Sequence, residues 1–288
     1  MTKLGQTAVM ALSAILASAL ASTAVSAASL EDIKKSGSIR IAVANEIPYG
    51  YVDPNGDAKG AGPDVAKAIM DKLGVDKIEW VTTNFSSLIP GLQADRFDMV
   101  AAEMAIRPDR CKQVLFSEPN SSYGEGLLVA AGNPKGVHAY SDFADKPDLK
   151  VAIMAGADQL EMMQKLGVSE GNLVTIAANA DAISTVSTGR ADAYAATGLT
   201  VSGLAGQNDG VEVAGDFVDP VVDGQEVRSW GGFTFASGNE ELRDAVNEAL
   251  AEFKKTDDWS KILTGYGFTQ ADVDGSGQRT TEQLCTAE

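Results

Sequence analysis

The chain has 288 residues and a formal net charge of −17, with 40 acidic side chains against 23 lysines and arginines. Such acidity disfavours nucleic acid and anionic membrane surfaces as partners, although one local arginine is enough to hold an anionic ligand in a closed cleft. The length is large for a single hydrophobic core, so it predicts two lobes.

The first 27 residues are predicted to be a secretory signal peptide. Lys3 gives a positive start, the apolar run over 8–20 is too short to span a bilayer, and Val25-Ser26-Ala27 forms a cleavage site of small residues. We expect cleavage after Ala27 or Ala28 and export of a soluble mature protein to the periplasm.

Strands and helices alternate along the first part of the mature chain. The predicted order is helix 29–36, strand 38–45, a helix from 62, strand 77–82, a helix that follows 84–87 and ends near 93, and strand 97–102. This βαβαβ alternation indicates a parallel sheet with helices on both of its faces.

The second part of the chain repeats the alternation. Strands are predicted over 126–131, 150–154, 173–176, 191–195 and 230–235, and helices over 158–166, 179–187, 240–255 and 259–266. The strands 126–131 and 230–235 are interpreted as two crossings between lobes. This assigns residues 28–130 and 230–288 to the first lobe and 131–229 to the second.

A polar turn is predicted after the strand 97–102, inside the segment Asp98–Pro119. It carries Glu103, Arg107 and Arg110, and Pro108 suits the first turn of a short helix. Ligands bind at the carboxyl ends of strands in open α/β sheets, and arginine offers a planar fork of donors that matches a carboxylate. The alternative is that both arginines are surface charges.

The two cysteines, Cys111 and Cys285, favour one disulfide in an oxidising compartment, and two free buried thiols are the alternative. The single histidine, His138, has no sequence partner for a nucleophilic triad. The segment Asp272–Gly277 is similar to the start of a calcium loop, but Gln283 stands where a bidentate glutamate is needed, so a flexible turn is expected. We therefore predict no metal and no cofactor.

Seven short motifs follow one another along the mature chain: Pro48-Tyr49, Gly62-Pro63-Asp64-Val65, FSSLIPGL over 85–92, Arg107-Pro108-Asp109-Arg110, Phe116-Ser117-Glu118-Pro119, Gly189-Arg190-Ala191-Asp192-Ala193 and Tyr266-Gly267-Phe268. In this order they resemble the amino-acid-type, family 3 solute-binding proteins of ABC importers. The resemblance implies an α/β fold of the type II periplasmic binding protein class. In that fold each of two lobes has a mainly parallel sheet flanked by helices, and two hinge crossings join the lobes.

A narrower resemblance, to ectoine- and hydroxyectoine-binding proteins, rests on four segments: Ala44-Asn45-Glu46 with Pro48-Tyr49, Arg110-Cys111, residues 193–197 and residues 228–233. Ectoine is a cyclic amidinium that also carries a carboxylate. The resemblance therefore implies a zwitterionic ligand with a delocalised cation.

Departures from the amino-acid pattern of the family support that implication. The resemblance assigns the ligand carboxylate to Arg110, but Glu103 and Ala105 stand where the family has a glycine and a threonine. The family's acidic residue for the ligand's α-ammonium falls at Thr197, and its Gly-Thr/Ser loop falls at Gly156-Ala157-Asp158. A standard ammonium site is therefore missing.

Glu46, Tyr49 and Phe85 are predicted to receive the cation instead. A delocalised cation between aromatic faces gains about 0.5–2 kcal/mol per contact. Core packing is the alternative for both rings, and a solvated loop carboxylate is the alternative for Glu46. Trp230 either lines the cleft or packs at the hinge.

Glu103 is expected to pair with Arg107 or Arg110 as a structural bridge, in preference to a contact with the ligand. Both glutamates, Glu46 and Glu103, also suit a general acid. An exported dehydratase acting on a cyclic acid is therefore one alternative function.

The main prediction is a non-catalytic monomeric carrier. It binds a small zwitterion between its lobes, closes by hinge bending and presents the closed form to an inner-membrane ABC permease. A polar amino acid, a betaine or an opine-like compound is the alternative ligand, and a sensory docking role is a third class of function.

Overall fold

The structure is a computed structural model that describes residues 28–222 and 224–286. The predicted signal peptide therefore lies outside the described residues. The described strands are β1 Ser38–Val43, β2 Tyr51–Val52, β3 Ala58–Lys59, β4 Lys77–Thr82, β5 Met99–Ala105, β6 Val114–Phe116, β7 Ser121–Tyr123, β8 Glu125–Ala130, β9 Val151–Met154, β10 Leu173–Ile176, β11 Ala193–Thr197, β12 Val211–Val213, β13 Val221–Val222, β14 Gln225–Glu226 and β15 Ser229–Ala236.

The described α-helices follow the predicted alternation closely. They are α1 Leu30–Ser36, α2 Ala61–Lys72, α3 Leu88–Gln93, α4 Pro108–Cys111, α5 Asp142–Asp145, α6 Gln159–Lys165, α7 Ala180–Ser187, α8 Gly198–Ala205, α9 Glu240–Phe253, α10 Asp257–Gly265, α11 Gln270–Gly275 and α12 Thr281–Thr286. Short 3-10 turns cover Phe85–Ser87 and Glu170–Asn172.

Two mixed sheets form the centres of two lobes. The first lobe has the strand order β4-β1-β5-β15-β6, with β7 also paired to β15, and the second has the order β10-β9-β11-β8-β12. Among the described strands, β15 is the one antiparallel member of the first sheet. The strand β8 is the one antiparallel member of the second. Both sheets are therefore mainly parallel, as the predicted two-lobe α/β class requires.

The two strands interpreted as crossings are instead full members of a sheet. The strand β8 pairs along its length with β11 and β12 of the second sheet, and β15 pairs with strands of the first. Their main-chain groups are satisfied within the sheets, so neither strand is itself a connection between lobes. The lobe limits at residues 130 and 229 remain predictions, and the pairing of β8 favours a first limit at Gly124.

Apolar faces of helices cover both sides of each sheet. In α9 the side chains of Leu242, Val246, Leu250 and Phe253 recur every three or four residues, and all are buried on the first sheet. The strand β5 is buried at every position because helices cover it on both sides. The predicted disulfide is confirmed, since Cys111 of α4 is bonded to Cys285 of α12.

The segment Asp272–Gly277 was wrongly expected to be a flexible turn. Its first half belongs to α11, which begins with a capping box between Thr269 and Asp272. Asp272 also forms an ion pair with Arg228 at 2.5 Å. The reciprocal cap and the ion pair stabilise a helix where the glycines alone suggested a loop.

Candidate ligand-binding site

A pocket between the two lobes contains most of the site residues that the sequence predicts. It lies at the carboxyl ends of β1, β5, β9 and β11, where parallel α/β sheets place ligands, and its cavity volume in this closed form is about 30 Å³. The predicted residues that line it are Glu46, Tyr49, Phe85, Glu103, Ala105, Arg110, Asp158 and Thr197.

Arg110 is the single cation among the described residues that line this pocket. It lies on α4, directly after β5, and is 6% exposed. Its Nη1 donates to the Ala105 carbonyl at 2.9 Å, and its Nη2 donates to the Gly156 carbonyl of the second lobe at 3.0 Å. The guanidinium also lies over the Phe85 ring, 5.5 Å from its centroid. These contacts fix its orientation and leave further N–H donors for an anion.

Gly156 was predicted to contact the ligand, but it is not part of the pocket lining. Its φ of +83° suits glycine and turns its carbonyl towards Arg110. Gly156 therefore acts on the site through the orientation of the arginine.

Tyr49 is both a wall of the pocket and part of the core. The ring packs against Tyr123 at 5.2 Å and against Phe268 at 5.8 Å between centroids. The Tyr49 hydroxyl donates to Thr197 Oγ1 of the second lobe at 2.7 Å. Thr197 also accepts from the backbone N–H of Thr200 at 3.3 Å and so caps α8. Its hydroxyl is thus already engaged at the position where the family has an acid.

A chain of hydroxyl groups leads from Tyr49 to Glu46. Thr197 Oγ1 donates to Thr200 Oγ1 at 3.0 Å, and Thr200 Oγ1 donates to the Glu46 carboxylate at 3.0 Å. Glu46 is 8% exposed, so it is not a solvated loop carboxylate. Burial raises the pKa of Glu46, and the hydrogen bond from Thr200 opposes this rise. Glu46 and Tyr49 are thereby joined to the second lobe by one polar network.

Glu103 pairs with neither arginine, which corrects the sequence-based expectation. Its carboxylate accepts from Asn120 Nδ2 at 2.6 Å and from Ser121 Oγ at 2.5 Å. The cause is that β5 continues to Ala105, so Glu103 lies in the strand and not in a turn. Its φ of +47° accompanies a register shift against β15, and its carboxylate contacts the segment that crosses between lobes. Burial raises the pKa of Glu103.

Arg107 reaches across the cleft outside the pocket. It donates from Nη2 to the carboxylate of Glu161 on α6, and from Nε to Asp109 at 3.1 Å. It therefore links the lobes without lining the ligand space.

Trp230 also lies outside the pocket lining. Its Nε1 donates to the Gly275 carbonyl at 2.9 Å, and Arg279 lies 6.0 Å from its ring centroid. Of the two interpretations, packing near the hinge is the one that the contacts support.

Several lining residues escaped the sequence analysis. They are Ala102, Tyr123, Met154, Ala157, Gln159, Tyr194 and Ala196. Met154, Ala157 and Ala196 lie at or just beyond the carboxyl ends of β9 and β11, whereas Ala102 and Tyr194 lie further inside β5 and β11. The sequence gives no indication that Tyr123 and Gln159 line the pocket. Tyr123 reaches it through the path of the chain between the lobes, and Gln159 through the position at which α6 begins.

Within residues 28–222 and 224–286, no three His, Cys, Asp or Glu side chains come together as metal ligands. No helix in the same part of the chain is long and apolar enough to cross a membrane.

Comparisons with known proteins agree with this architecture. Residues 39–270 match the family model of bacterial extracellular solute-binding proteins, family 3. A probable amino-acid ABC transporter periplasmic-binding protein, y4tE, from Sinorhizobium fredii is 56% identical over 262 residues, which cover 90% of this chain and 87% of that protein.

Solved structures also resemble the chain. EhuB in complex with hydroxyectoine is 32% identical with a TM-score of 0.81, over 90% of this chain and 98% of that one. An ancestral arginine-binding protein bound to arginine is 30% identical with a TM-score of 0.70, over 81% and 99% of the two chains. The chain belongs to the bacterial extracellular solute-binding proteins of family 3 and is the substrate-binding component of an amino-acid-type ABC transporter.

Proposed function

We propose that the protein binds ectoine or hydroxyectoine between its lobes and delivers it to an ABC permease in the inner membrane. One observation carries the choice of ligand. The pocket sets one arginine, Arg110, beside the buried acid Glu46 of the same lobe, while the family's ammonium-binding position is a helix-capping threonine, Thr197.

The arrangement fits a zwitterion with a spread cation. Arg110 offers its remaining N–H donors to a carboxylate, and the rings of Tyr49 and Phe85 offer faces to a planar amidinium. Glu46 supplies the opposite charge on the same wall. The structural similarity to a hydroxyectoine complex supports this ligand class.

An amino acid is the second candidate, and Asp158 is the observation that favours it. This carboxylate lines the second-lobe wall, where it offers a compact charge suited to an ammonium group. The likeness to an ancestral protein bound to arginine supports the same alternative. Betaines lack N–H groups and would give Glu46 and Asp158 no hydrogen bond from the ligand, and opine-like ligands carry an additional carboxylate.

A dehydratase is the third candidate, because burial raises the pKa of Glu46 in the direction that a general acid requires. One structural neighbour is an ancestral amino acid-binding protein that is described as a precursor of cyclohexadienyl dehydratase. Turnover of a cyclic acid by the purified protein would replace the carrier assignment.

Closure of the lobes completes the site in this proposal. The contacts Arg110–Gly156 and Tyr49–Thr197 join opposite walls, so they form when the lobes approach. Closure excludes water and strengthens the charge pairs inside. We infer that the monomeric closed form is what the permease binds.

The test is a thermal-shift and calorimetric screen of the mature, oxidised protein. Ectoine and hydroxyectoine are compared with glycine betaine, octopine, proline, arginine and N-acetyl-diaminobutyrate, the ring-opened hydrolysis product of ectoine. A ligand at a hundred times its Kd adds about 2.7 kcal/mol to the free energy of unfolding. Binding of the cyclic compounds and rejection of the ring-opened one supports the proposal, whereas preference for arginine selects the amino-acid alternative.

A further inference from the structure

A buried acid, Glu125, lies behind the pocket at the point where the chain enters the second lobe. It is the first residue of β8 and is 5% exposed. In the sheet it stands directly opposite Thr197 of β11, the position where the family's ammonium-binding acid is missing. The second lobe therefore has a carboxyl group one strand away from the expected place.

The two carboxyl oxygens of Glu125 have different surroundings. Oε2 accepts from Gln159 Nε2 at 2.7 Å and lies 3.1 Å from the Tyr140 hydroxyl, whose one hydrogen is shared with the Gly126 and Ala196 carbonyls at the same distance. Oε1 is buried and has no hydrogen-bond partner. An unpartnered oxygen of this kind is much more costly on an ionised carboxylate than on a neutral carboxylic acid.

The groups that face Glu125 do not compensate a negative charge. Asp158 and Asp219 lie near enough to oppose its ionisation, and Tyr140 and Tyr49 are the other titratable groups around it. Within the described residues, no lysine or arginine forms a salt bridge with it. Burial, with Asp158 as the next cause, raises the pKa of Glu125 to about 8.

Gln159 connects this acid to the ligand space. Gln159 is the first residue of α6, is 3% exposed, and lines the pocket beside Asp158. One end of its amide contacts Glu125. An amide has a donor end and an acceptor end, so the end that Glu125 engages decides which one remains for the ligand.

We propose that Glu125 is a positioning residue for the ligand's cationic group, and that its carboxyl sets which end of the Gln159 amide faces the pocket. The inference rests on the proposed binding of a ligand with a cationic N–H group. An ionised Glu125 accepts from the Gln159 nitrogen, and the amide oxygen then faces the ligand as an acceptor for N–H.

A neutral Glu125 acts in the opposite way. Its O–H donates to the Gln159 oxygen, so the amide is reversed and presents N–H to the ligand. A cationic N–H group then meets a donor and is bound less well. Below the pKa of Glu125, ligand binding therefore converts the neutral acid to the ionised form and releases its proton to solvent, so affinity rises with pH.

The first experiment needs no ligand. The side-chain carboxyl ¹³C resonance of Glu125, assigned by its loss in Glu125→Gln, is followed from pH 5 to pH 10. A midpoint near 8 is expected, and Tyr140→Phe, which removes one donor to Oε2, should move it to higher pH. A midpoint in the ordinary range of glutamate overturns the proposal, whatever ligand the protein binds.

The second experiment measures Kd calorimetrically from pH 6 to pH 9.5, with hydroxyectoine as the probe because its amidinium stays protonated throughout. For the wild type, affinity should rise about tenfold between pH 7 and pH 9, with about one proton released per ligand at the lower end, as expected for binding that requires an ionised group with a midpoint near 8. Lys254, whose pKa burial lowers to about 8, titrates in the same window in every variant. The difference between wild type and Glu125→Gln is therefore the decisive quantity.

A flat profile in Glu125→Gln beside a sloping wild-type profile supports the proposal, and coincident profiles overturn it. If hydroxyectoine does not bind at any pH, the proposed ligand fails. Arginine then replaces it as the probe between pH 6 and pH 8.5, with the same comparison of the two proteins. A wild-type affinity that does not change with pH for the ligand that binds overturns the positioning role.

Discussion

The two walls of the pocket have different compositions. The first lobe contributes the arginine and three of the four aromatic rings, with Arg110 held by Ala105 and stacked on Phe85. The second lobe contributes a backbone carbonyl, a threonine hydroxyl, the larger side chains of Met154 and Tyr194, and the polar side chains of Asp158 and Gln159. The comparison suggests that the first wall provides most of the affinity for the ligand's charges, while the second provides closure and orientation.

The buried acids behind the two walls show the same contrast. Glu103 in the first lobe has a hydrogen bond to each of its oxygens; burial raises its pKa, and these hydrogen bonds and the nearby charge of Lys254 oppose the rise. Glu125 in the second lobe has one unpartnered oxygen and acidic neighbours. A carboxylate fully paired with donors is a structural element, whereas an incompletely paired one is free to respond to pH or to a ligand.

The largest expected effect is on the first wall. Arg110→Ala should weaken ligand binding by about 2–5 kcal/mol, because truncation leaves a ligand carboxylate desolvated and unpaired. Calorimetric titration with the ligand found in the screen measures the loss. Arg107→Ala is the matched control, since it removes an arginine of the same motif that does not line the pocket. Near-normal binding by Arg110→Ala would contradict the division of roles between the walls.

The next effect concerns stability of the first lobe alone. Cys285→Ser should lower the free energy of unfolding by about 2–4 kcal/mol, because the disulfide closes a long loop, with 174 residues of sequence separation. Chemical denaturation measures it, and Cys111→Ser should give the same value. Ligand affinity should stay within about twofold, since neither cysteine lines the pocket. A large loss of affinity would show that the bond between α12 and α4 holds the first-lobe side of the pocket in position.

The pH dependence of stability distinguishes the two buried acids. A carboxyl with a raised pKa in the folded state stabilises the protein fully below its unfolded pKa, and this contribution is lost as pH rises through the folded value. For Glu125 this stability contribution is lost between about pH 4.5 and about pH 8, the pKa values of the unfolded and folded states. At pH 8.5, Glu125→Gln should therefore raise the free energy of unfolding relative to wild type by roughly 1–4 kcal/mol.

Glu103→Gln is the matched control for that measurement. At pH 8.5, Glu103→Gln should raise the free energy of unfolding by less than Glu125→Gln does, because both carboxylate oxygens of Glu103 already accept hydrogen bonds in the folded state. Denaturation curves at pH 4.5 and pH 8.5 give both differences. Equal increases in the free energy of unfolding for the two variants would contradict the claim that Glu125 is less well paired than Glu103.

A smaller effect is expected at the network that joins the walls. Tyr49→Phe removes the donor to Thr197 and should weaken ligand binding by about 0.5–1.5 kcal/mol through less favourable closure. Tyr123→Phe is the control, because the Tyr123 hydroxyl donates within the first lobe, to the Glu103 carbonyl at 2.8 Å. The control should lower thermal stability with less change in affinity. A larger loss of affinity in Tyr123→Phe than in Tyr49→Phe would show that the hydrogen bond between Tyr49 and Thr197 does not control closure of the lobes.

The smallest effect is expected at the exposed bridge between Arg107 and Glu161. Partly exposed ion pairs contribute about 0.2–1 kcal/mol, and salt screens them. Arg107→Ala and Glu161→Ala should each raise the ligand dissociation rate slightly at low salt, and the double variant should add little. Stopped-flow dissociation at two ionic strengths checks this. An effect that is independent of salt would show that packing, not charge, links the lobes there.

The site residues of the first lobe could largely be predicted from the sequence, whereas those around Glu125 in the second lobe could not. Arg110, Tyr49 and Glu46 were found because they follow strands in recognisable motifs, and their pocket positions agree with that. Gln159 and Glu125 were missed, because their relevance depends on which strand stands beside which. Strand pairing brings residues together that are far apart in the sequence, and periodicity carries no information about it.

The amino-acid sequence by itself determined the alternation of strands and helices, the two-lobe α/β class and the pairing of its two cysteines. These follow from local hydrophobic periodicity, turn residues and cysteine count, which are properties of short segments. Only the tertiary structure decided that Glu103 pairs with Asn120 and Ser121, that Trp230 packs against the tail, and that an acid lies opposite Thr197. Those outcomes depend on the register between strands and on desolvation inside a closed cleft, and both arise only when distant segments pack together.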